Sequence, residues 1–202
     1  MNYIRIGLTG GPGCGKSEAG RFFSKFPDWQ CFDADRICHE IYSETDSPFI
    51  KLLKNRWGSS ICTTDGQPDR KAIAEKIFNS EPERQWLDSI LHPEIFFRLE
   101  NRTAQSKAKF VLIEAPLLFE AQWNLKMDKT IAVWTPPEIQ MQRLLDRGWT
   151  REHAGKRIRA QYPAGKKLEL ADYGIINRGS LEQLEQQCRT IDSRIRDFYK
   201  NL

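Results

Sequence analysis

An α/β fold, with a parallel sheet of about five strands flanked by helices and a large helical insertion, is what this sequence predicts. Three observations predict it. Short apolar runs rich in Ile, Val and Leu alternate with stretches of helical periodicity, which implies crossover connections between parallel strands. The first of these runs passes directly into a glycine-rich turn and then a helix. The stretch between the second and third runs is too long for one crossover. It reads as an inserted subdomain over the C-terminal edge of the sheet, where α/β proteins bind ligands. At 202 residues, with 40% hydrophobic and 29% charged residues, the chain suits one well-cored domain with modest insertions.

In chain order, Tyr3 to Thr9 reads as a buried strand, followed by the glycine turn and a helix from about Lys16 to Phe26. Gln30 to Phe32 is a short second strand ending at Asp33. From Ala34 to about Gln105 the pattern is helical, with Ile73, Ile77 and Phe78, then Leu87, Ile90 and Leu91, at helical spacing. Pro48, the turn from Thr64 to Asp69, and Pro82 interrupt it. Lys109 to Ile113 and Lys129 to Trp134 are further strands, the latter ended by Pro136-Pro137. Helices are expected over Glu138 to Arg147 and Thr150 to Tyr162, then a strand near Tyr173 to Ile176 and a long amphipathic helix from Ser180. No repeats, low-complexity tracts or flexible linkers interrupt this order.

Lys and Arg total 31 against 27 Asp and Glu, a formal charge of +4. That excess suits small polyanions at least as well as nucleic acid, which calls for a basic stripe. The five cysteines show no metal or redox spacing and are odd in number, so reduced thiols are expected. His39, His92 and His153 form no metal pair. The first apolar run is too short for a signal sequence and no stretch approaches a membrane span. A soluble, cytoplasmic protein is therefore expected; with no exposed heptad seam in view, so is a monomer.

The strongest signal is Gly10, Gly11, Pro12, Gly13, Cys14, Gly15, Lys16 and Ser17, which fits G-x-x-x-x-G-K-[ST] at every fixed position. Glycines let the backbone turn its N–H groups toward phosphate oxygens, and the following helix adds its own free N–H groups and dipole. Lys16 offers positive charge to the β- and γ-phosphates, and the Ser17 hydroxyl is suited to bind Mg²⁺. The motif follows a strand and opens a helix, as the mechanism requires. It specifies a nucleoside triphosphate with Mg²⁺ and the P-loop NTPase fold, and by itself does not specify a kinase.

No guanine-reading N-K-x-D element occurs, which argues against a regulatory GTPase. Instead, Asp33 and Asp35 flank Ala34 just past the second strand. A carboxylate there can take an acceptor hydroxyl's proton or hold the hydroxyl in line with the γ-phosphate. For Asp33 a helix N-cap is an equal alternative.

Five segments together resemble the dephospho-CoA kinase family. They are Ile6 to Ser17, Asp33-Ala34-Asp35, Leu91-His92-Pro93-Glu94-Ile95, Pro116-Leu117-Leu118-Phe119-Glu120, and Ala171-Asp172 leading to Ile176-Asn177-Arg178-Gly179. Gln142-Arg143 and Gln161 also fit. The resemblance implies transfer of ATP's γ-phosphate to the ribose 3′-hydroxyl of dephospho-CoA. It implies Asp35 as the catalytic carboxylate with Asp33 supporting, and Asn177 and Gly179 beside the adenine. His92, Leu117, Glu120 and Gln161 fall to the acceptor side. For His92 a structural role beside Pro93 stays open, and for Phe119-Glu120 a solvated corner does. The implied layout is a core of residues 1–35, 107–140 and 168–202, a CoA-binding subdomain of about 36–106, and a lid of about 141–167.

Glu18, Pro12 and Cys14 stand where the family commonly has Thr, Ile and Ser; Pro12 removes one N–H from the loop. Glu114 stands where Asp is usual, and its carboxylate could reach Mg²⁺ through water. Cys14, in a loop rich in N–H groups, raises the expectation of a lowered thiol pKa and redox regulation. Between Arg143 and Lys167 eight basic residues face only Asp146 and Glu152, a net of +6 in this window. Some of these are a solvated surface. Arg143, then Arg147 one helical turn on, are the leading phosphate ligands. The rival readings are another small-molecule P-loop kinase, acting on a nucleoside, nucleotide or sugar acid, and a nucleotide-binding regulatory module.

Overall fold

The computed structural model describes residues 3–78 and 80–200. The chain divides into two compact units, one of Ala34–Gln105 and one containing the remaining described residues.

The larger unit is built on five parallel strands, β1 (Ile4–Gly10), β2 (Trp29–Asp33), β3 (Phe110–Glu114), β4 (Lys129–Trp134) and β5 (Tyr173–Ile176). Their order is β2-β3-β1-β4-β5. β3 is buried along its whole length, as its unbroken apolar run requires in a parallel sheet covered on both faces. Register aligns Asp33 with Glu114, so the C-terminal ends of β2 and β3 bring two carboxylates to one edge, beside Leu8 of β1.

Helix α1 (Lys16–Phe23) packs against the sheet and against α9 (Leu181–Tyr199). Between them lies a core that includes Ile6, Phe23, Leu112, Ile131, Ile175, Leu184 and Ile195. Phe23, Trp29 and Phe110 stack in series at 4.8 and 5.1 Å, and the Trp29 indole N–H donates to Asp192 at 2.7 Å. That bond removes the cost of burying an unpaired N–H. Ser180 and Gln183 form a reciprocal capping box that starts α9. On β5, an outer strand, the Gln187 side-chain amide accepts from Ile176 N–H at 2.9 Å and donates to Ile176 O at 3.1 Å. Asp172 ties β4 to β5 by accepting from the backbone N–H and hydroxyl of Thr130, both at 2.8 Å.

After β4 come α6 (Pro137–Asp146), α7 (Arg151–Arg159) and α8 (Ala164–Leu170). The sequence predicted one helix running on to Tyr162 and missed α8. Pro163, at φ −51°, ends the preceding segment but also presets the first turn of the next helix.

The Ala34–Gln105 unit contains α2 (Ala34–Ile41), α3 (Pro48–Trp57), α4 (Arg70–Phe78) and α5 (Glu81–Thr103). Ser47 and Ser80 cap α3 and α5, with Pro48 and Pro82 in their first turns. Ile37, Ile41, Ile50, Leu53, Leu87, Leu91, Ile95 and Leu99 form its buried interior. Arg98 links α5 to Glu44, and Arg102 links it to Glu40. Pro93 lies inside α5 and neither begins nor breaks it. Apolar packing of Leu91, Ile95 and Phe96 keeps the helix running through it.

Candidate active site

The glycine loop joins β1 to α1 through Gly15, whose φ of +92° is a conformation that L side chains resist. A Cβ at Gly15 would also lie 2.1 Å from Asn177 Nδ2, so glycine is required twice over. The loop is braced from behind by the ends of β4 and β5 and by α6. Cys14 O accepts from Asn177 Nδ2 at 2.8 Å and lies 3.1 Å from Thr135 Oγ1. Pro12 O accepts from Gln140 Nε2 at 2.7 Å. Thr135 Oγ1 is also 2.9 Å from Asn177 O, and Arg143 reaches Thr135 Oγ1 and Asn177 Oδ1, each at 3.4 Å. Thr135, Gln140 and Asn177 are buried, so these bonds are sheltered from water. Fixing the carbonyls this way preorganises the loop as an anion nest.

Lys16, nearly buried, lies with its Nζ 3.1 Å from Glu114 Oε2. The Ser17 side chain follows in the first turn of α1 and is exposed. The Glu114 charge adds to the effect of burial on Cys31, whose thiol is pushed up to about 12. Thr9 Oγ1 donates to Pro116 O at 3.1 Å, holding the segment after β3 against β1.

A second cluster lies where α8 meets that segment. Lys167 is 0% exposed, and its Nζ donates to Gln161 Oε1 at 3.1 Å, to Pro116 O, and to Glu120 Oε1 at 2.9 Å. Glu120 Oε1 also accepts from Tyr162 N–H at 2.7 Å, while Glu120 Oε2 is buried without a hydrogen-bond partner. Burial pulls the Lys167 pKa below the ordinary lysine value, against the pull of Glu120.

The structure thus brings together Lys16, Glu114, Arg143 and Asn177 around the loop, and Glu120 and Gln161 around Lys167. Asp33 ends β2, in register with Glu114. Leu117 is half-buried in the turn after β3, and Arg147 is exposed at the end of α6. Gly179 lies just before α9, near a cleft of about 540 Å³ lined by Ile176, Arg178, Gln183, Gln186 and Gln187. In the helical unit, Asp35 occupies the exposed first turn of α2, and His92 Nε2 is 3.7 Å from Asp88 Oδ1. Asn177 is buried with its amide turned into the loop, a brace that sequence reasoning did not assign to it.

One expectation is overturned. Cys14 is fully buried, and burial raises its thiol pKa more than hydrogen bonds from Gly11 and Thr135 and the charges of Lys167 and Arg143 lower it. Burial therefore shields the thiol and moves its pKa up, opposite to an activated cysteine. Thr135, Gln140 and the anchoring role of Lys167 went unread. Thr135 sat beside a proline pair that signalled only a strand end, and Lys167 sat among seven other basic residues.

A family profile described as dephospho-CoA kinase (CoaE) matches residues 4–183. The dephospho-CoA kinase of Thermosynechococcus vestitus is 35% identical over 185 residues, covering 91% of both chains. Among solved structures, TT1252 from Thermus thermophilus has a TM-score of 0.81 at 29% identity, covering 96% of this chain and 98% of that one. Dephospho-CoA kinase from Campylobacter jejuni has a TM-score of 0.65 at 26% identity, covering 95% and 96%. A braced phosphate loop on a five-stranded parallel sheet, matched over most of its length by these proteins, makes the chain a P-loop kinase belonging to the dephospho-CoA kinase family.

Proposed function

We infer that this kinase transfers the γ-phosphoryl group of ATP to the ribose 3′-hydroxyl of dephospho-CoA, giving coenzyme A and ADP, the last step of coenzyme A biosynthesis. The family match over residues 4–183 carries the reading. The glycine loop from Gly10 to Ser17, held by Thr135, Gln140 and Asn177, supports it as the cradle for the ATP phosphates.

In the reaction, the ribose oxygen bonds to the γ-phosphorus while the bond from γ-phosphorus to the β–γ bridging oxygen breaks. Asp35 takes the hydroxyl proton, with Asp33 orienting the acceptor; support for it is the resemblance of Asp33-Ala34-Asp35 to the family's segment after the second strand. Lys16 and Arg143 stabilise charge spreading over the γ-phosphoryl oxygens. Arg147 is a further phosphate ligand, and Asn177 and Gly179 lie on the adenine side, where the cleft beside Ile176 and Arg178 supports the placement. His92, Leu117, Glu120 and Gln161 contact the acceptor. The helical unit Ala34–Gln105 is proposed to bind the CoA moiety, and the basic stretch of about 141–167 to close as a lid.

The residues present fit Mg²⁺. The Ser17 hydroxyl and the Glu114 carboxylate are hard oxygen donors, and Mg²⁺ characteristically takes one or two protein oxygens with phosphates and water. Among the described residues no three His, Cys, Asp or Glu side chains converge as a cage, which suits a phosphate-borne ion. Once bound, the ion would neutralise charge on the β- and γ-oxygens. Among the described residues no helix is long and apolar enough to cross a membrane. We place the enzyme in the cytoplasm, as a monomer, with no nucleic-acid partner.

The test is ADP release from Mg²⁺-ATP with dephospho-CoA, beside nucleosides, nucleotides and gluconate, for the wild type and Asp35→Asn. Turnover driven by dephospho-CoA alone, abolished in Asp35→Asn with ATP binding retained, is the expected result. Turnover with a different acceptor would sink the substrate assignment and leave a P-loop kinase. Binding of ATP with no transfer to any acceptor would favour a regulatory module instead.

A further inference from the structure

The Lys16–Glu114 ion pair rests against a residue with no side chain. Gly20 lies one turn beyond Lys16 on α1, and a Cβ there would sit 1.9 Å from Glu114 Oε1 and 2.6 Å from Glu114 Cδ. Even favourable carbon–oxygen contacts stay near about 3.3 Å or more. Any residue larger than glycine must therefore displace the carboxylate. Glu114 is only 7% exposed, and its Oε2 is engaged with Lys16 at 3.1 Å. Gly20 O, for its part, accepts from Cys31 Sγ at 3.5 Å, which ties this turn of α1 to β2. With Ala19, Phe22 and Phe23 of the same helix buried in the core, α1 is held against backing away from the carboxylate.

We propose that Gly20 is a positioning residue for Glu114, the two forming a size-matched pair. A glutamate side chain is one methylene longer than aspartate, and at this strand end it needs the space that a missing Cβ provides. The absent methyl lets the carboxylate reach Lys16 and face the phosphate loop from a fixed place. An aspartate at 114 would withdraw the carboxylate by about one bond length and make a methyl at 20 harmless. The consequence for Mg²⁺-ATP rests on the kinase reading above; the pairing itself rests on the packing.

Four proteins test this: the wild type, Gly20→Ala, Glu114→Asp, and the double variant. ATP affinity is measured by calorimetry with Mg²⁺ and with EDTA, alongside the thermal midpoint and kcat and KM with dephospho-CoA. With Glu114 in place, Gly20→Ala is expected to cut the Mg²⁺-dependent gain in ATP affinity about 10-fold or more, the usual cost of disturbing an outer metal partner. The EDTA affinity should not weaken, because Lys16 remains. It should also lower the thermal midpoint. In the Glu114→Asp background the same substitution should change affinity by less than about twofold and raise the midpoint, since alanine is the better helix former. Equal losses in both backgrounds would overturn the pairing. A wild type that ignores dephospho-CoA while the coupling persists in ATP binding and midpoint would defeat the kinase reading alone.

Discussion

Replacing Lys167 with methionine should cost more than its position in a basic stretch suggests. The side chain is 0% exposed, and its ammonium donates to three oxygens, on Pro116, Gln161 and Glu120. Lys167→Met keeps most of the stem but removes all three bonds. Pro116 O retains the Thr9 hydroxyl at 3.1 Å, so it is not orphaned. Glu120 fares worse, keeping only the Tyr162 N–H on Oε1, with Oε2 already unpartnered. Breaking one side of a buried pair costs about 3–5 kcal/mol. Because the Glu120 side chain is 16% exposed, the low end applies, about 3 kcal/mol. For a chain of this size that lowers the thermal midpoint by about 6–12 °C. The cost lies in the abandoned carboxylate rather than in a favourable ion pair, since burial already pulls the Lys167 pKa down. Removing the charge on both sides, in Lys167→Met with Glu120→Gln, should therefore recover at least about half of the loss. Urea unfolding of the wild type, Lys167→Met, Glu120→Gln and the double variant measures both quantities. A single-variant loss below about 1 kcal/mol, or a double variant no better than Lys167→Met, would refute this reasoning.

Four further outcomes are expected. Gly15→Ala forces an L side chain into φ +92° and into Asn177 Nδ2, and should destabilise by more than about 1 kcal/mol and weaken ATP binding; calorimetry against unfolding free energy separates the two effects. Asn177→Leu removes the amide from Cys14 O and should cost about 1–3 kcal/mol and raise KM for ATP, whereas Asn177→Asp keeps only the acceptor and should not restore the brace. Asp172 is pulled up by burial, but bonds from Thr130 and the charge of Lys129 outweigh this and hold its carboxyl below the usual range. Its stabilisation is present above the unfolded pKa, near about 4, and is lost as pH falls through the folded value. Asp172→Asn should therefore flatten the stability–pH curve below about pH 4, and an unchanged slope would contradict the assignment. A fourth concerns Cys14, which should alkylate with iodoacetamide only on unfolding and leave activity unaffected by mild peroxide; rapid native labelling would reverse that view.

The strands and the phosphate loop were legible because their signals are local. An unbroken apolar run such as Phe110 to Ile113, or glycines at fixed spacing before Lys16, carries its meaning within a few residues. The braces were not legible, because each joins residues far apart in sequence. Gln140 to Pro12 spans 128 positions and Asn177 to Cys14 spans 163, and nothing near either end shows that it is buried. Lys167 carries the same chemistry as the exposed basic residues around it, and only tertiary packing distinguishes it. Pro163 misled, and Pro93 shows why. Proline excludes one backbone donor, but whether it ends a helix, starts one or is carried within one depends on what the neighbouring side chains bury.

Gln187 gives the sheet an outer boundary made by the chain itself. Its amide offers Ile176 the same donor and acceptor that a neighbouring peptide unit would, so the rim of β5 finds there, in miniature, the sixth strand it lacks. Unsatisfied strand rims are templates on which other chains can zip, and they invite fibril growth from partly unfolded protein. A single glutamine on α9 thereby couples the docking of the last helix to the colloidal safety of the fold. Loosening that helix would uncover a growth point as well as the core.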